Sequence, residues 1–188
     1  IDGTTITATL GQTVLEAAES AGIYIPRLCF MKELKPAGSC RVCTVRINGR
    51  TAAACTQPAA ADMFVENDTD ELRRLRRNVI DMLFVEGNHF CMFCEKSGTC
   101  ELQALAYRFG ITAPKYPFQF PKRDIDATHA SIMIDRNRCI LCGRCVRASK
   151  ELDGKHVFDF VGRGHSKRLA VDSAHGLDAA HSAGARDA

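Results

Sequence analysis

No apolar run in the 188-residue chain approaches the roughly 20 residues of a membrane-spanning helix, so no span is read from it. Neither charge predominates: 25 Lys and Arg stand against 22 Asp and Glu, a formal net charge of +3. That surplus is too small to point to nucleic acid or an anionic membrane as a partner. The densest basic run, Arg73 to Arg77, reads as the solvated face of a helix. Ile1-Asp2-Gly3-Thr4 is not a charged segment leading into an apolar core, so no secretion signal is read and the expected location is the cytoplasm. The chain has no GxGxxG after a strand, no phosphate loop and no nucleophile constellation, and no catalytic centre of its own is expected.

Cysteine, by contrast, is abundant, with ten in the chain. A reducing compartment keeps structural disulfides from forming, and disulfide scaffolds are usually short and secreted. Metal binding is the better use for these thiols. They fall into three groups, and the element pattern around each can be read separately.

Residues 4 to 9 alternate and are β-branched after an Asp2-Gly3 turn, which predicts a hairpin with little of its first strand. Thr13 can cap a short helix carrying Val14, Leu15 and Ala18, with Gly22 at its end. Asn48-Gly49 between Arg41–Ile47 and Arg50–Cys55 predicts a type I′ hairpin. Thr69 caps a longer helix with Leu72, Leu75, Val79, Met82 and Leu83 at helical spacing and Gly87 closing it. A further helix is expected from Gly98 to Phe109, with Leu102, Leu105, Ala106 and Phe109 on one face. Pro114, Pro117 and Pro121, interleaved with Tyr116, Phe118 and Phe120, mark an extended linker. Beyond it come a short strand at 132–134, a helix from Gly143 to Leu152 and a strand from Val157 to Val161. From Ala170 the small, polar sequence reads as poorly ordered or cut short.

The first group is Cys29, Cys40, Cys43 and Cys55, with one CxxC pair. Four thiolates in this arrangement suit a [2Fe-2S] cluster, although the spacing is not that of plant-type ferredoxins. Gly38 and Ser39 fit a backbone that comes close to the cluster. A zinc site is the rival, but zinc ribbons pair two CxxC knuckles and only one is present here. The second group is His89, Cys91, Cys94 and Cys100, a donor set that can hold zinc or iron. In an iron cluster a neutral imidazole in place of a thiolate raises the potential.

The third group, Cys139, Cys142 and Cys145, is a CxxCxxC run of the [4Fe-4S] kind. The bacterial ferredoxin run would place its fourth Cys at 149 and Pro at 150, where Ser149 and Lys150 stand. The fourth ligand comes from a continuation of the chain past Ala188, which is the preferred reading, or the cluster is a three-iron form, or a non-cysteine ligand serves. Arg138, Arg144 and Arg147 around this run read as a solvated basic face, with compensation of cluster charge as the rival.

Four motifs together carry a family resemblance over essentially the whole chain: Ile25-Pro26-Arg27-Leu28-Cys29, Gly38-Ser39-Cys40-Arg41-Val42-Cys43, Glu86 to His89 running into Cys91, Cys94 and Cys100-Glu101-Leu102-Gln103, and Arg138 to Arg147. The chain resembles the diaphorase-side iron-sulfur subunit of soluble NAD-reducing [NiFe] hydrogenases, itself related to the N-terminal part of the large iron-sulfur subunit of complex I. The single residue, Phe90, between His89 and Cys91 points to the hydrogenase branch, since complex I relatives usually have three.

The resemblance implies an α+β chain in three parts. Residues 1–66 would form a β-grasp [2Fe-2S] domain holding its cluster through Cys29, Cys40, Cys43 and Cys55. Residues 67–110 would form a helical [4Fe-4S] segment with His89, Cys91, Cys94 and Cys100 as ligands. After a linker at 111–130, residues 131–188 would form a bacterial-ferredoxin-like segment, apparently incomplete, with Cys139, Cys142 and Cys145 on a second [4Fe-4S] cluster and a late fourth Cys.

The implied role is electron transfer between a [NiFe] hydrogenase small subunit and a flavin/NAD-binding diaphorase subunit in a hetero-oligomer. The rival readings are an equivalent fragment of complex I, formate dehydrogenase or an [FeFe] hydrogenase, and a zinc-stabilised binding module.

Overall fold

The structure is a computed structural model that describes residues 1–173, 176 and 177. The chain divides into two compact units, one made of residues 1–30, 36–84 and 90–117 and the other of residues 31–35, 85–89 and 118–188.

The first unit begins with the expected turn: Asp2 and Gly3 have φ of 50° and 81°, and the Thr4 amide donates to the Ile1 carbonyl at 2.9 Å. Residues 4–9 are not a strand, because no partner strand lies alongside among the described residues. Helix α1 (Val14–Ser20) starts at a full capping box, in which the Glu16 amide donates to the Thr13 hydroxyl and the Thr13 amide to the Glu16 carboxylate. Strands β1 (Thr44–Ile47) and β2 (Arg50–Ala53) pair antiparallel in the register Ile47↔Arg50. Asn48 and Gly49 between them both have positive φ, 48° and 81°, as the type I′ turn requires. Strand β3 (Val65–Glu66) joins the other side of β1, giving the order β2-β1-β3. Val14, Leu15, Ile25, Val45, Ala54 and Val65 form the core under this sheet, and Cys43 and Cys55 belong to it.

Helix α2 (Asp70–Val85) has its N-terminus capped by Thr69, whose hydroxyl accepts from the Leu72 amide at 3.3 Å. Its buried face differs from the expected one. Leu75 and Met82 are 39% and 48% exposed, whereas Leu72, Arg76, Ile80 and Phe84, spaced four apart, are buried. The reason is that Arg76 finds neutral backbone acceptors inside, so a basic residue takes a core position within a run that reads as solvated. Helix α3 (Glu101–Arg108) buries Leu102, Leu105 and Ala106 as expected. Lys115 ties the following segment to α2 through Asp81 and Asn78.

In the second unit, β4 (Ile125–Asp126) pairs antiparallel with β5 (Ile134–Asp135). The strand expected at 132–134 thus begins two residues later, and its partner lies in what reads as linker. Helix α4 (Arg144–Glu151) is followed by the antiparallel pair β6 (Phe158–Val161) and β7 (Arg168–Val171). Ala170 and Val171, expected to open an unordered tail, are in β7 because Leu169 beside them joins Val157, Phe158 and Leu177 in the core. Of the remainder of that tail, only Asp172, Ser173, Gly176 and Leu177 are among the described residues. No helix among the described residues is long and apolar enough to cross a membrane.

Ser149 is fully buried on α4, and its hydroxyl accepts the Val157 amide at 2.8 Å, joining the helix to the start of β6. Replacing Ser149 with Ala strands that amide in the core. Ser149→Ala is expected to lower stability by about 1–3 kcal/mol, read by chemical denaturation at constant iron content.

Candidate metal centres

The first cysteine group is assembled by the β1-β2 hairpin and the loops beside it. Cys43 immediately precedes β1, and the Ala54 amide returns to the Cys43 carbonyl at 3.1 Å, which brings Cys55 alongside. The first amides of α1 complete the support: Leu15 donates to the Ala54 carbonyl and Val14 to that of Gln57, on either side of Cys55. Arg41 adopts φ of 60° inside the CxxC pair, a left-handed position that bends the chain between Cys40 and Cys43. Gly38 also has positive φ, and a Cβ there would meet the Thr56 methyl at 3.0 Å.

These loops bring all four sulfurs into one hydrogen-bonded set. The Cys29 amide donates to Cys40 Sγ at 3.4 Å. The Cys29 thiol is driven far below its ordinary value, chiefly by a hydrogen bond from Cys40 and then one from Cys55. Cys43 is brought down to about 7, chiefly by a hydrogen bond from Cys55. Cys40 and Cys55 move the other way, Cys40 first through its bond to Cys29 and Cys55 through bonds to Cys29 and Cys43. Two sulfurs are thus shifted toward the thiolate and two away from it, and protons held by the set must leave when a metal enters. The donor set fits a two-iron cluster.

The second group is differently placed. Cys91, Cys94 and Cys100 are half-buried in the first unit, on a turn at Cys91–Phe93 and a loop that ends where Cys100 caps α3. Gln103 braces that loop: its side chain accepts the Gly98 amide at 2.8 Å and donates to the Ser97 hydroxyl at 3.1 Å. The sequence reading gave Gln103 no role, though its place three residues after Cys100, where a side chain can reach back over a helix start, is a usable signal.

His89 falls in the second unit. There the Asn88 amide donates to the Asn137 carbonyl at 2.8 Å and the Asn88 side chain to the Pro121 carbonyl at 2.7 Å. Asn137 in turn donates to the carbonyl of Arg123 and to Asp135.

The third group is also in the second unit. Leu141 and Gly143 both have positive φ, 53° and 69°, so the chain coils tightly from Cys139 through Cys142 into α4, which carries Cys145 in its first turn. Burial pushes Cys145 up to about 11, with repulsion from Cys142 and Cys139 adding to it. Burial likewise raises Cys139, while a hydrogen bond from the Leu141 amide opposes the rise. Ser149, where a bacterial ferredoxin has its fourth Cys, has its hydroxyl engaged by Val157. Arg138 and Arg147 are half-buried and engaged, which corrects their reading as a solvated face. Arg138 pairs with Asp135 at 3.1 Å, and Arg147 donates to the carbonyls of Lys35, Gly143 and Cys142.

Among the described residues no three His, Cys, Asp or Glu side chains are gathered as a site for one metal ion. In the first group the sulfurs meet through hydrogen bonds, Cys29 with Cys40 and Cys55 and Cys43 with Cys55.

Sequence comparisons agree in order along the chain. Residues 1–70 match the 2Fe-2S iron-sulfur cluster binding domain, residues 76–115 the iron-sulfur binding region of NADH-ubiquinone oxidoreductase-G, and residues 130–187 the ferredoxin-like domain of NADH-quinone oxidoreductase subunit 3. This is an iron-sulfur protein with one [2Fe-2S] domain followed by two [4Fe-4S] regions.

The gamma subunit of the NAD-reducing hydrogenase HoxS of Cupriavidus necator is 40% identical over 92% of this chain and 74% of its own length. A chain in the crystal structure of an NAD+-reducing [NiFe]-hydrogenase in the H2-reduced state is 51% identical, with a TM-score of 0.90 over 93% of this chain and 74% of that one. The alpha subunit of the NADPH-Fe(3+) oxidoreductase of Geobacter sulfurreducens is 36% identical over 88% of this chain, which spans only 20% of that longer protein. The chain belongs to the family of the NAD-reducing hydrogenase gamma subunit, related to the complex I large iron-sulfur subunit.

The tight corner at Gly87 gives a direct test of how His89 is positioned. A Cβ at Gly87 would lie 2.6 Å from His89 Nε2 and 2.7 Å from the Asn137 carbonyl. Gly87→Ala is expected to cost about 1–3 kcal/mol by overpacking and to shift the imidazole resonances of His89 in NMR of the metal-free protein. Unshifted resonances would show the corner to be looser than this.

Proposed function

We propose that this chain is the electron-transfer subunit joining a [NiFe] hydrogenase module to a flavin/NAD diaphorase module, so that hydrogen oxidation is coupled to NAD reduction. The observation that carries this reading is the 0.90 TM-score at 51% identity to a chain of an NAD+-reducing [NiFe]-hydrogenase. The partners are then a flavin- and NAD-binding subunit and the small subunit of a [NiFe] hydrogenase, in a cytoplasmic hetero-oligomer.

Residues 1–66 are assigned as a β-grasp [2Fe-2S] domain that would hold its cluster through Cys29, Cys40, Cys43 and Cys55. The hydrogen bonds of Cys29 with Cys40 and Cys55 and of Cys43 with Cys55 support this set. Residues 67–110 are assigned to a [4Fe-4S] cluster held by Cys91, Cys94 and Cys100 with His89, the last on sequence spacing. Beyond a linker at 111–130, residues 131–188 are assigned to a second [4Fe-4S] cluster held by Cys139, Cys142, Cys145 and a further ligand.

When bound, such clusters act as one-electron carriers. The chain's own residues hold the sulfurs, exclude water and supply donors. Leu15, Ile25 and Val45 are 0% exposed around the first group, which keeps the sulfurs from solvent. The amides of Cys29 and Leu141 donate to sulfurs, and the N-terminus of α4 sets its positive end at the third group.

Purification from the native host without oxygen is expected to yield equimolar iron and acid-labile sulfide, co-purifying flavin and [NiFe] subunits, and hydrogen-dependent NAD reduction. A colourless protein with stoichiometric zinc would overturn the cluster assignment, and a complex I-type set of partners would move the chain to the longer relatives' role. His89→Cys is expected to lower the potential of one [4Fe-4S] cluster while leaving its iron content intact. An unchanged redox titration would remove His89 from the ligand set.

A further inference from the structure

Arg76 lies in the run Arg73 to Arg77 on α2, yet it is 2% exposed while Arg73, Arg74 and Arg77 face solvent. Its Nη1 donates to the Asn67 carbonyl, and its Nη2 donates to the Asn67 side-chain oxygen and the Thr44 carbonyl, each at 2.8 Å. All three acceptors are neutral, and Arg76 forms no ion pair among the described residues. Arg73, three residues before it on the same helix, is paired with Asp68 and Asp70 at the surface.

Burying a charge is costly unless an opposite charge compensates it, and neutral carbonyls do so only in part. The residue next to Thr44 is Cys43. Burial pulls the Arg76 guanidinium below its ordinary value, while attraction to Asp68, the Cys43 thiolate and Asp2 holds it up. A guanidinium stays charged through any such shift.

We infer that Arg76 is the buried counter-charge of the [2Fe-2S] cluster: through its Nη2 on Thr44, one residue beyond the ligand Cys43, it stabilises the reduced cluster over the oxidised one and raises its potential. This rests on the reading of Cys29, Cys40, Cys43 and Cys55 as the cluster's ligands. Reduction adds one negative charge to a group of four thiolates, so a fixed cation nearby in a low-dielectric core favours the reduced form more than the oxidised. Arg76 touches no sulfur in this account and acts by its field alone.

The test is an EPR-monitored redox titration of the assembled complex, with iron content measured for each variant. Arg76→Gln is expected to lower the [2Fe-2S] midpoint by about tenfold in the one-electron equilibrium, about 59 mV, and to leave both [4Fe-4S] signals in place. Arg76→Lys, which keeps the charge, should stay near the parent value. Asn67→Asp places a carboxylate on the guanidinium at the loss of one bond, from the Asn67 amide to the Tyr24 carbonyl. It should lower the midpoint as Arg76→Gln does, and it decides the question if the Gln variant does not load iron. Loaded Gln or Asp variants with the parent's potential would overturn the inference. So would a Lys variant that shifts as far as Gln, since hydrogen bonding rather than charge would then be at work. If the parent complex has no [2Fe-2S] signal, or keeps it after Cys43→Ala, the ligand reading fails instead.

Discussion

Four cysteine sulfurs linked by hydrogen bonds, Cys29 to Cys40 and Cys55 and Cys43 to Cys55, at the edge of an apolar core form the constraint on which the first unit depends. Four thiolates brought so close repel one another, and burial penalises each of them. The hydrogen bonds among the sulfurs draw Cys29 and Cys43 down and push Cys40 and Cys55 up. Iron held by these thiolates, as proposed, would relieve the conflict in place of protons. The surrounding fold brings these sulfurs together from a stretch of sequence running from 29 to 55. The hairpin returns Cys55 to Cys43, and the capped start of α1 spends its free amides on the carbonyls beside Cys55. Cys43 and Cys55 are themselves core residues, so a cluster held there, as proposed, would be continuous with the core.

The second constraint is backbone curvature. A cluster a few ångströms across must be wrapped by a chain whose regular conformations are too straight, so ligand loops need left-handed residues. They occur at Gly38 and Arg41 in the first group, Gly98 in the second, and Leu141 and Gly143 in the third. Arg41 and Leu141 carry a Cβ in a region that disfavours it, and strain of this kind persists where the surroundings over-determine it. Here the flanking cysteines do so from both sides.

Most of the local elements were legible in the sequence because their signals are themselves local. Asn48-Gly49 specifies its turn by φ alone, and Thr13 with Glu16 specifies the start of α1 by two reciprocal hydrogen bonds. What escaped depends on groups distant in the chain. The alternation of residues 4–9 is a strand signal, but a strand exists only where another pairs with it. The buried face of α2 was misplaced because hydrophobic spacing counts Leu75 and Met82 as inward and Arg76 as outward. The acceptors that draw Arg76 in are carbonyls of Thr44 and Asn67, which no periodicity contains. The cysteine groups were visible as spacing, yet only the folded chain brings Cys29 and Cys55, 26 positions apart, into one hydrogen-bonded set.

The arginines illustrate how the same side chain acquires different electrical meaning from its partners. Arg138 is answered by Asp135 at 3.1 Å, and Arg147 is spread over three carbonyls that organise the loop before α4. A cation paired at the surface, as Arg73 is with Asp68, projects little field, since its partner and the solvent cancel it. Arg76 is buried and forms no ion pair among the described residues, so on the inference above its field reaches the neighbouring sulfurs less screened than that of a surface pair. Net charge near zero over the whole chain therefore says nothing about the potential at a cluster. That potential is set by the few charges that burial leaves uncancelled, and a carrier that must both accept and release an electron is tuned by where those charges stand.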